Sequence, residues 1–275
     1  MEDKSKFQRS RVPYLIASTF ALAFLFSSTD SYAFLGGINE EITGKVLKDN
    51  GFDENSANEV GDSSYWTDSS EVTNEAVHVD NNRLDLGSQL LITKKQEVVD
   101  VLKSCQRRDA LDTLGAALHT VQDVYAHSSA IDNEITVAML SMQRGSAPCD
   151  ATAGFAPSGL VSGYFSMSGF MTGNQCRDMP SGQCCHYGLN KDSPSKPNGT
   201  NDPAANNAAR AATLEYMKMV IDDHHRSVSD DQVTRLENML KQRHLALVCH
   251  RRHGGMSNDI AGVRYVPQHW ECWIV

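Results

Sequence analysis

The residues best placed to do chemistry lie in one run, His119-Thr-Val-Gln-Asp123-Val-Tyr-Ala-His127. Residues four apart on an α-helix share a face, so both imidazoles and the carboxylate point the same way. Two histidines and an aspartate form a ligand set that zinc accepts. The run follows an apolar, alanine-rich stretch, Leu114-Gly-Ala-Ala-Leu118, which suits a buried helix. Buried polar groups need partners, because leaving them unpaired costs several kcal/mol. Eight residues of helix rise about 12 Å. With zinc bonds of about 2 Å, one ion does not reach both His119 and His127 on a continuous helix. Either the helix ends near Tyr125, or more than one ion is held with Asp123 between them. Ions about 3.5–4 Å apart are a known hydrolase design. Two unrelated histidines and a capping aspartate would give the same spacing without any metal.

The elements that must position this run are helical. Asn39-Glu-Glu-Ile-Thr-Gly-Lys-Val-Leu reads as a short helix, apolar at 42, 46 and 47, with Gly51 as its stop. Residues 52–76 are polar and read as irregular. The apolar positions from Leu84 through Leu102 predict a longer helix ending near Cys105. The motif helix is expected from Asp109, a possible cap, through Tyr125. Ile131 to Met142 is a further helix candidate. Residues 145–202 are rich in Gly, Ser, Pro and Asn, and read as a long loop or small subdomain. Helix resumes at Pro203 with an alanine-rich run, and Ser227 to His244 reads as the last clear helix. The tail from Cys249 to Val275 has room for a short hairpin. The predicted fold class is mainly α, with a long Cys-rich loop inserted.

The first 33 residues read as a secretory signal. Lys4, Lys6, Arg9 and Arg11 form a basic region, Tyr14 to Phe26 is almost wholly apolar, and Ser31-Tyr32-Ala33 fits a cleavage site. The apolar run is short for a membrane span. The domain then runs over 34–248, with 249–275 as a tail, and a secreted or periplasmic location is expected with no membrane span after cleavage. The net charge of −9 disfavours a stable, nonspecific nucleic-acid partner. The seven cysteines, at 105, 149, 176, 184, 185, 249 and 272, favour disulfides in such a compartment. Their odd number leaves at least one otherwise engaged. Cys184-Cys185-His186 is a minor candidate for a Cys-metal site. His224-His225 suits a helix C-terminus. His244, His250 and His253 lie among arginines and read as a basic surface.

Leu114-Gly-Ala-Ala-Leu-His119-Thr-Val-Gln-Asp123-Val-Tyr-Ala-His127-Ser resembles the central motif of the heterokaryon-incompatibility C (Het-C) family. That family is related to the zinc-dependent phospholipases C and the single-strand zinc nucleases. Val77-His78-Val-Asp80-Asn81 and Gly188-Leu-Asn-Lys-Asp192-Ser resemble two further segments of it. The resemblance implies a phospholipase C/zinc-nuclease-like helical bundle around two or three zinc ions. It implies metal ligation by His119, Asp123, His127, His78, Asp80, Phe34 as the mature first residue, and Asp202. Asp123 and Asp80 take the catalytic roles. Asn39 and Asp202 stand where family members carry histidines, and asparagine is a poor zinc ligand.

The function this implies is a secreted zinc-dependent phosphodiester hydrolase resembling phospholipase C, with a phospholipid or membrane surface as substrate. A noncatalytic Het-C-like interaction protein with structural metal is the alternative, and a zinc-dependent nuclease is a third.

Overall fold

One helix organises the molecule. In the computed structural model, α4 (Arg107–His127) has every residue from Ala110 onward buried, apart from Asp112 and Ala116. A helix covered on all sides belongs at the centre of a bundle. Four other helices surround it: α1 (Gly37–Asp49), α2 (Glu54–Ser70), α3 (Leu84–Lys103) and α7 (Asp202–Ser227). α2, α3 and α7 pack directly on α4, and α1 packs on α2 and α7. The short helices α5 (Met167–Met171) and α6 (His186–Leu189) lie in the segment between α4 and α7. Two strands, β1 (Leu247–Arg251) and β2 (Trp270–Ile274), pair antiparallel with Cys249 opposite Cys272. The residues described are 37–145, 159–174, 176–192, 199, 202–227, 238, 240–241, 247–251 and 270–274. They lie in one compact unit, and the chain is mainly α-helical. No helix among them is long and apolar enough to cross a membrane.

The core is aliphatic, built from residues such as Ile42, Leu47, Val60, Leu91, Leu111, Leu114, Leu118 and Val121. Polar ties set the helices in register. Gln122 on α4 donates from Nε2 to Thr43 Oγ1 on α1 at 2.8 Å and to Thr213 Oγ1 on α7 at 3.2 Å. Tyr216 on α7 donates to Leu91 O on α3 at 2.7 Å. Gly115 allows the close crossing of α2 and α4, since a Cβ there would sit 2.4 Å from Val60 O.

Three expected elements differ. Residues 52–76 contain a 17-residue helix, α2, in place of irregular chain. Its buried face is made of small or polar residues, Ser56, Ala57, Val60, Gly61, Ser64, Thr67 and Asp68, so hydrophobic periodicity does not reveal it. Asp53 caps it, accepting from Ser56 N at 2.7 Å. Ile131 to Met142 holds only turns and a 3-10 turn at Met139–Ser141. The β-branched run Ile135-Thr-Val favours extended backbone, and Glu134 takes a positive φ of 50° that a helix does not tolerate. The motif helix begins at Arg107, with Asp109 in its first turn and not as its cap. The 145–202 stretch carries structure of its own, including the Cys176–Cys185 disulfide. Most of Ser227 to His244 lies outside the described residues.

Candidate metal centre

α4 is continuous to His127, so His119, Asp123 and His127 occupy three successive turns and one ion does not span them. Two clusters form, one at each end of this run, with Asp123 between.

The first gathers around His119. Asp68 comes from α2, and His78 from the turn between α2 and α3. Asp68, His78 and His119 are all buried, and each offers a ligand atom within 4.8 Å of the others'. Asp123 closes the set. His78 Nδ1 lies 2.8 Å from Asp123 Oδ2, His119 Nε2 lies 3.3 Å from the same oxygen, and the two nitrogens are 3.3 Å apart. Tetrahedral zinc with bonds of about 2.0 Å places its ligand atoms about 3.3 Å from one another. The three atoms therefore sit close to one face of such a tetrahedron.

The backbone strains to make this geometry. Val79, Asn81 and Asn82 all take left-handed φ, at 54°, 57° and 59°. For a β-branched valine that conformation is rare and costs of order 1–3 kcal/mol. The turn aims both His78 and Asp80 inward. It is locked by Asp80 N donating to Glu75 O at 3.1 Å and Asn81 N donating to Gly163 O at 2.8 Å. Asn82 Oδ1 accepts from Ser162 N at 2.9 Å.

Asn39 acts on a ligand, not as one. Fully buried on α1, its Nδ2 lies 2.9 Å from His119 Nδ1. With the amide turned so that its oxygen accepts Nδ1–H, the Nε2 lone pair is presented to an ion. Outer partners of metal-bound histidines characteristically fix the tautomer in this way.

The second cluster forms at the C-terminal end of α4. His127 Nε2 lies 3.0 Å from Asp192 Oδ1 and 3.4 Å from Asn190 Nδ2. His186 Nδ1 lies 2.8 Å from Asp80 Oδ1, and the His127 and His186 rings are 3.9 Å apart. Gly163 is what lets the 159–165 segment run beside His186, because a Cβ there would meet His186 Cα at 2.2 Å. Lys191, fully buried, grips the helix end. Its N donates to Ala126 O at 3.1 Å, and its Nζ donates to Ser128 O at 2.7 Å and pairs with Asp132 at 3.0 Å.

The electrostatics follow from burial and pairing. Burial pushes the Asp68 carboxyl up to about 7, against the pull of His119. Burial works to lower His78, but its hydrogen bond to Asp123 and the Asp123 charge hold it up at about 9. Burial would raise Asp123, yet His119 and His78 hold it well below the ordinary carboxylate range. Burial and the neighbouring His186 lower His127. His186 is raised, because Asp80 outweighs its burial.

Does this set suit a metal ion? His78 Nε2, Asp123 Oδ1, His127 Nδ1 and His186 Nε2 are all buried with no hydrogen-bond partner. Unsatisfied buried polar atoms cost about 1–3 kcal/mol each, and each of the two clusters carries two of them. Histidine nitrogens and carboxylate oxygens are the donors zinc takes. The residues present fit it.

Of the residues expected from sequence, His78, His119 and Asp123 come together, and Asp80 and His127 join the neighbouring cluster. Asp202 opens α7 partly exposed, its carboxyl raised by burial and by Asp192. Phe34 lies outside the described residues. Lys191 pairs with Asp132. Cys184 and Cys185 are both disulfide-bonded, so neither offers a thiolate beside His186. Sequence reasoning missed Asp68, whose only signal was its place on the buried polar face of α2, and it did not single out His186 as a partner of Asp80.

Residues 54–154 match the family model of the VWA7 N-terminal domain. No curated protein matches the chain, and no solved structure matches it. The family match corrects the resemblance to Het-C and, with it, to the zinc phospholipases and nucleases. The His-x3-Asp-x3-His pattern that carried the resemblance is set by ligand chemistry on one helix face, and such short spacings recur without kinship. The matched span runs from α2 through α4 and contains Asp68, His78, Asp80, His119, Asp123 and His127.

Proposed function

We propose that this chain is a metal-dependent phosphodiester hydrolase that works outside the cytoplasm. Zinc is the ion its first cluster suits, in a centre of more than one ion. The observation that carries the reading is the triangle of His78 Nδ1, His119 Nε2 and Asp123 Oδ2, with edges of 2.8, 3.3 and 3.3 Å. Asp68 lies beside the triangle, and its carboxylate would share the remaining position with a water. When bound, zinc supplies Lewis-acid chemistry, acidifying a water and polarising a phosphoryl oxygen.

The chain's own residues do the rest. Asn39 orients His119. Asp123 holds negative charge between two imidazoles. The left-handed turn at Val79–Asn82 presents His78 and Asp80 on one side. The substrate class is anionic because zinc held here would act as a Lewis acid on phosphoryl oxygens. The disulfide and the basic-apolar leader support an extracytoplasmic location.

One observation favours a second reading, in which the metal only holds the fold. The ligand set is almost closed to solvent, with His119 at 0 % exposure and His78, the most open of the first cluster, at 5 %. Zinc-loaded protein assayed on bis(p-nitrophenyl) phosphate, short-chain phosphatidylcholine and single-stranded DNA separates the readings. Turnover that disappears in Asp123→Asn supports the hydrolase. Turnover of DNA alone moves the substrate to nucleic acid. Unfolding on chelation without turnover of any substrate leaves the structural metal.

A further inference from the structure

We propose that the segment 161–189 is a gate over the metal centre. Its inner strap, residues 161–165, leaves the 79–82 turn and the end of α4 to let an ion or a substrate reach the ligands. The inference rests on the reading of this centre as one that takes up an ion and turns over a substrate.

The centre as folded is shut, with Asp68 at 3 % exposure and Asp123 at 1 %, so some element has to move. α2, α3 and α7 hold α4 through the shared aliphatic core, and parting them exposes apolar surface to water. The segment 161–189 is built differently. Among the described residues, none of its apolar side chains belongs to the main core. Val161, Cys184 and Leu189 form a small apolar cluster of their own. Tyr164 N donates to Cys184 O at 2.6 Å, and His186 N donates to Tyr164 O at 3.1 Å. The Cys176–Cys185 disulfide ties the outer part together. The segment therefore coheres as a unit.

Its ties to the site are polar. Gly163 O accepts from Asn81 N at 2.8 Å, and Gly163 N donates to His127 O at 3.1 Å. Ser162 N donates to Asn82 Oδ1 at 2.9 Å, and Ser162 Oγ accepts from Asn82 N at 3.0 Å. Phe165 N donates to Asn81 Oδ1 at 2.9 Å. His186 Nδ1 meets Asp80 Oδ1 at 2.8 Å. Water replaces such bonds at small net cost, so local opening is least costly here. The partners are the turn that carries His78 and Asp80, and the backbone of His127, so the strap comes away next to the ligands. Both ends stay fixed. Leu160 lies in the main core, and Lys191 holds the end of α4.

The test is a lock. Ser128 and Ser162 face each other in an antiparallel bridge, flanked by the Gly163 N–His127 O and Ser129 N–Val161 O bonds. Such a non-hydrogen-bonded pair has Cα atoms about 4.5 Å apart, a separation that a disulfide spans. The full chain carrying Ser128→Cys and Ser162→Cys together, its cross-link verified by peptide mapping, is compared with each single variant. EDTA and a chelating dye follow zinc release, and bis(p-nitrophenyl) phosphate reports turnover. The cross-linked chain is expected to lose turnover. Its zinc release should be at least about 10-fold slower, since 10-fold needs only about 1.4 kcal/mol on the opening step. Equal zinc release and equal turnover in cross-linked and single-variant chains overturn the gate and leave the metal centre standing. Hydrogen exchange of the wild-type chain needs neither zinc nor cross-link. Amides of residues 161–165 are expected to exchange together and ahead of those of residues 114–121. Exchange as slow as in α4 overturns the gate, even where the double variant misfolds or the chain binds no ion.

Discussion

Gly115→Ala is a small change that should open the metal centre. A Cβ at Gly115 would lie 2.4 Å from Val60 O and 2.6 Å from Ser63 Cβ. Relaxed contact needs about 1 Å more. The atoms it meets belong to α2 close to the backbone, so the helices must part. Overpacking of this kind costs about 1–3 kcal/mol. For a domain of this size each kcal/mol lowers Tm by about 2–4 °C, so the ion-free variant should melt about 2–12 °C lower. The consequence at the site is larger. Gly115 is one turn before His119 on α4, and the helix it pushes away carries Asp68. Metal ligands must sit within about 0.2 Å of their bonding distances, so a shift near 1 Å takes Asp68 out of reach. The zinc dissociation constant should rise about 10-fold or more, by analogy with disrupted outer partners. Differential scanning calorimetry of the ion-free protein and competition titration with a chelating dye measure the two effects. An unchanged Tm together with unchanged zinc affinity would refute the close crossing and its link to the site.

Asn39→Ala should weaken zinc binding about 10–100-fold by freeing His119 Nδ1, with helix content by circular dichroism unaltered. Lys191→Met leaves Ser128 O, Leu189 O and Asp132 without their shared donor. It should destabilise the fold by about 3–5 kcal/mol, read as a lower urea midpoint. Between pH 7 and pH 9 the ion-free protein should lose stability. His78, held up at about 9, is raised above its unfolded value of 6.5, so its contribution is lost across this window, whereas that of Asp68, raised from 3.8 to about 7, is lost at lower pH. Zinc affinity should rise over the same window, because protons compete with the ion for these ligands. Parallel melting curves with and without zinc check both directions, and an ion-free Tm that climbs from pH 7 to 9 contradicts this.

The helical class was legible because α3, α4 and α7 carry apolar or alanine-rich periodicity over long stretches, and α3 starts at Leu84 as the pattern predicts. α2 was not, since Ser64, Thr67 and Asp68 are buried on it through packing against α4, which no polarity scale registers. His119 and Asp123 were legible from i, i+4 spacing, a local property. His186 was not, because its partner Asp80 is 106 residues away and the adjacent cysteines suggested thiolate chemistry. Asn39 was read as a poor ligand, which it is. Its contact with the far nitrogen of His119 is a tertiary fact that spacing does not encode. Family resemblance misled for a related reason: the ligand pattern reports what an ion requires of a helix, and unrelated chains meet that requirement alike.

The most direct measurement is the zinc content of the full chain, purified without chelator, beside His119→Ala. Bound zinc in wild type at one or more ions per chain, reduced in His119→Ala with helix content retained, is the result expected of a metal centre on α4. Zinc-free wild type, or the same zinc content in both proteins, would contradict it.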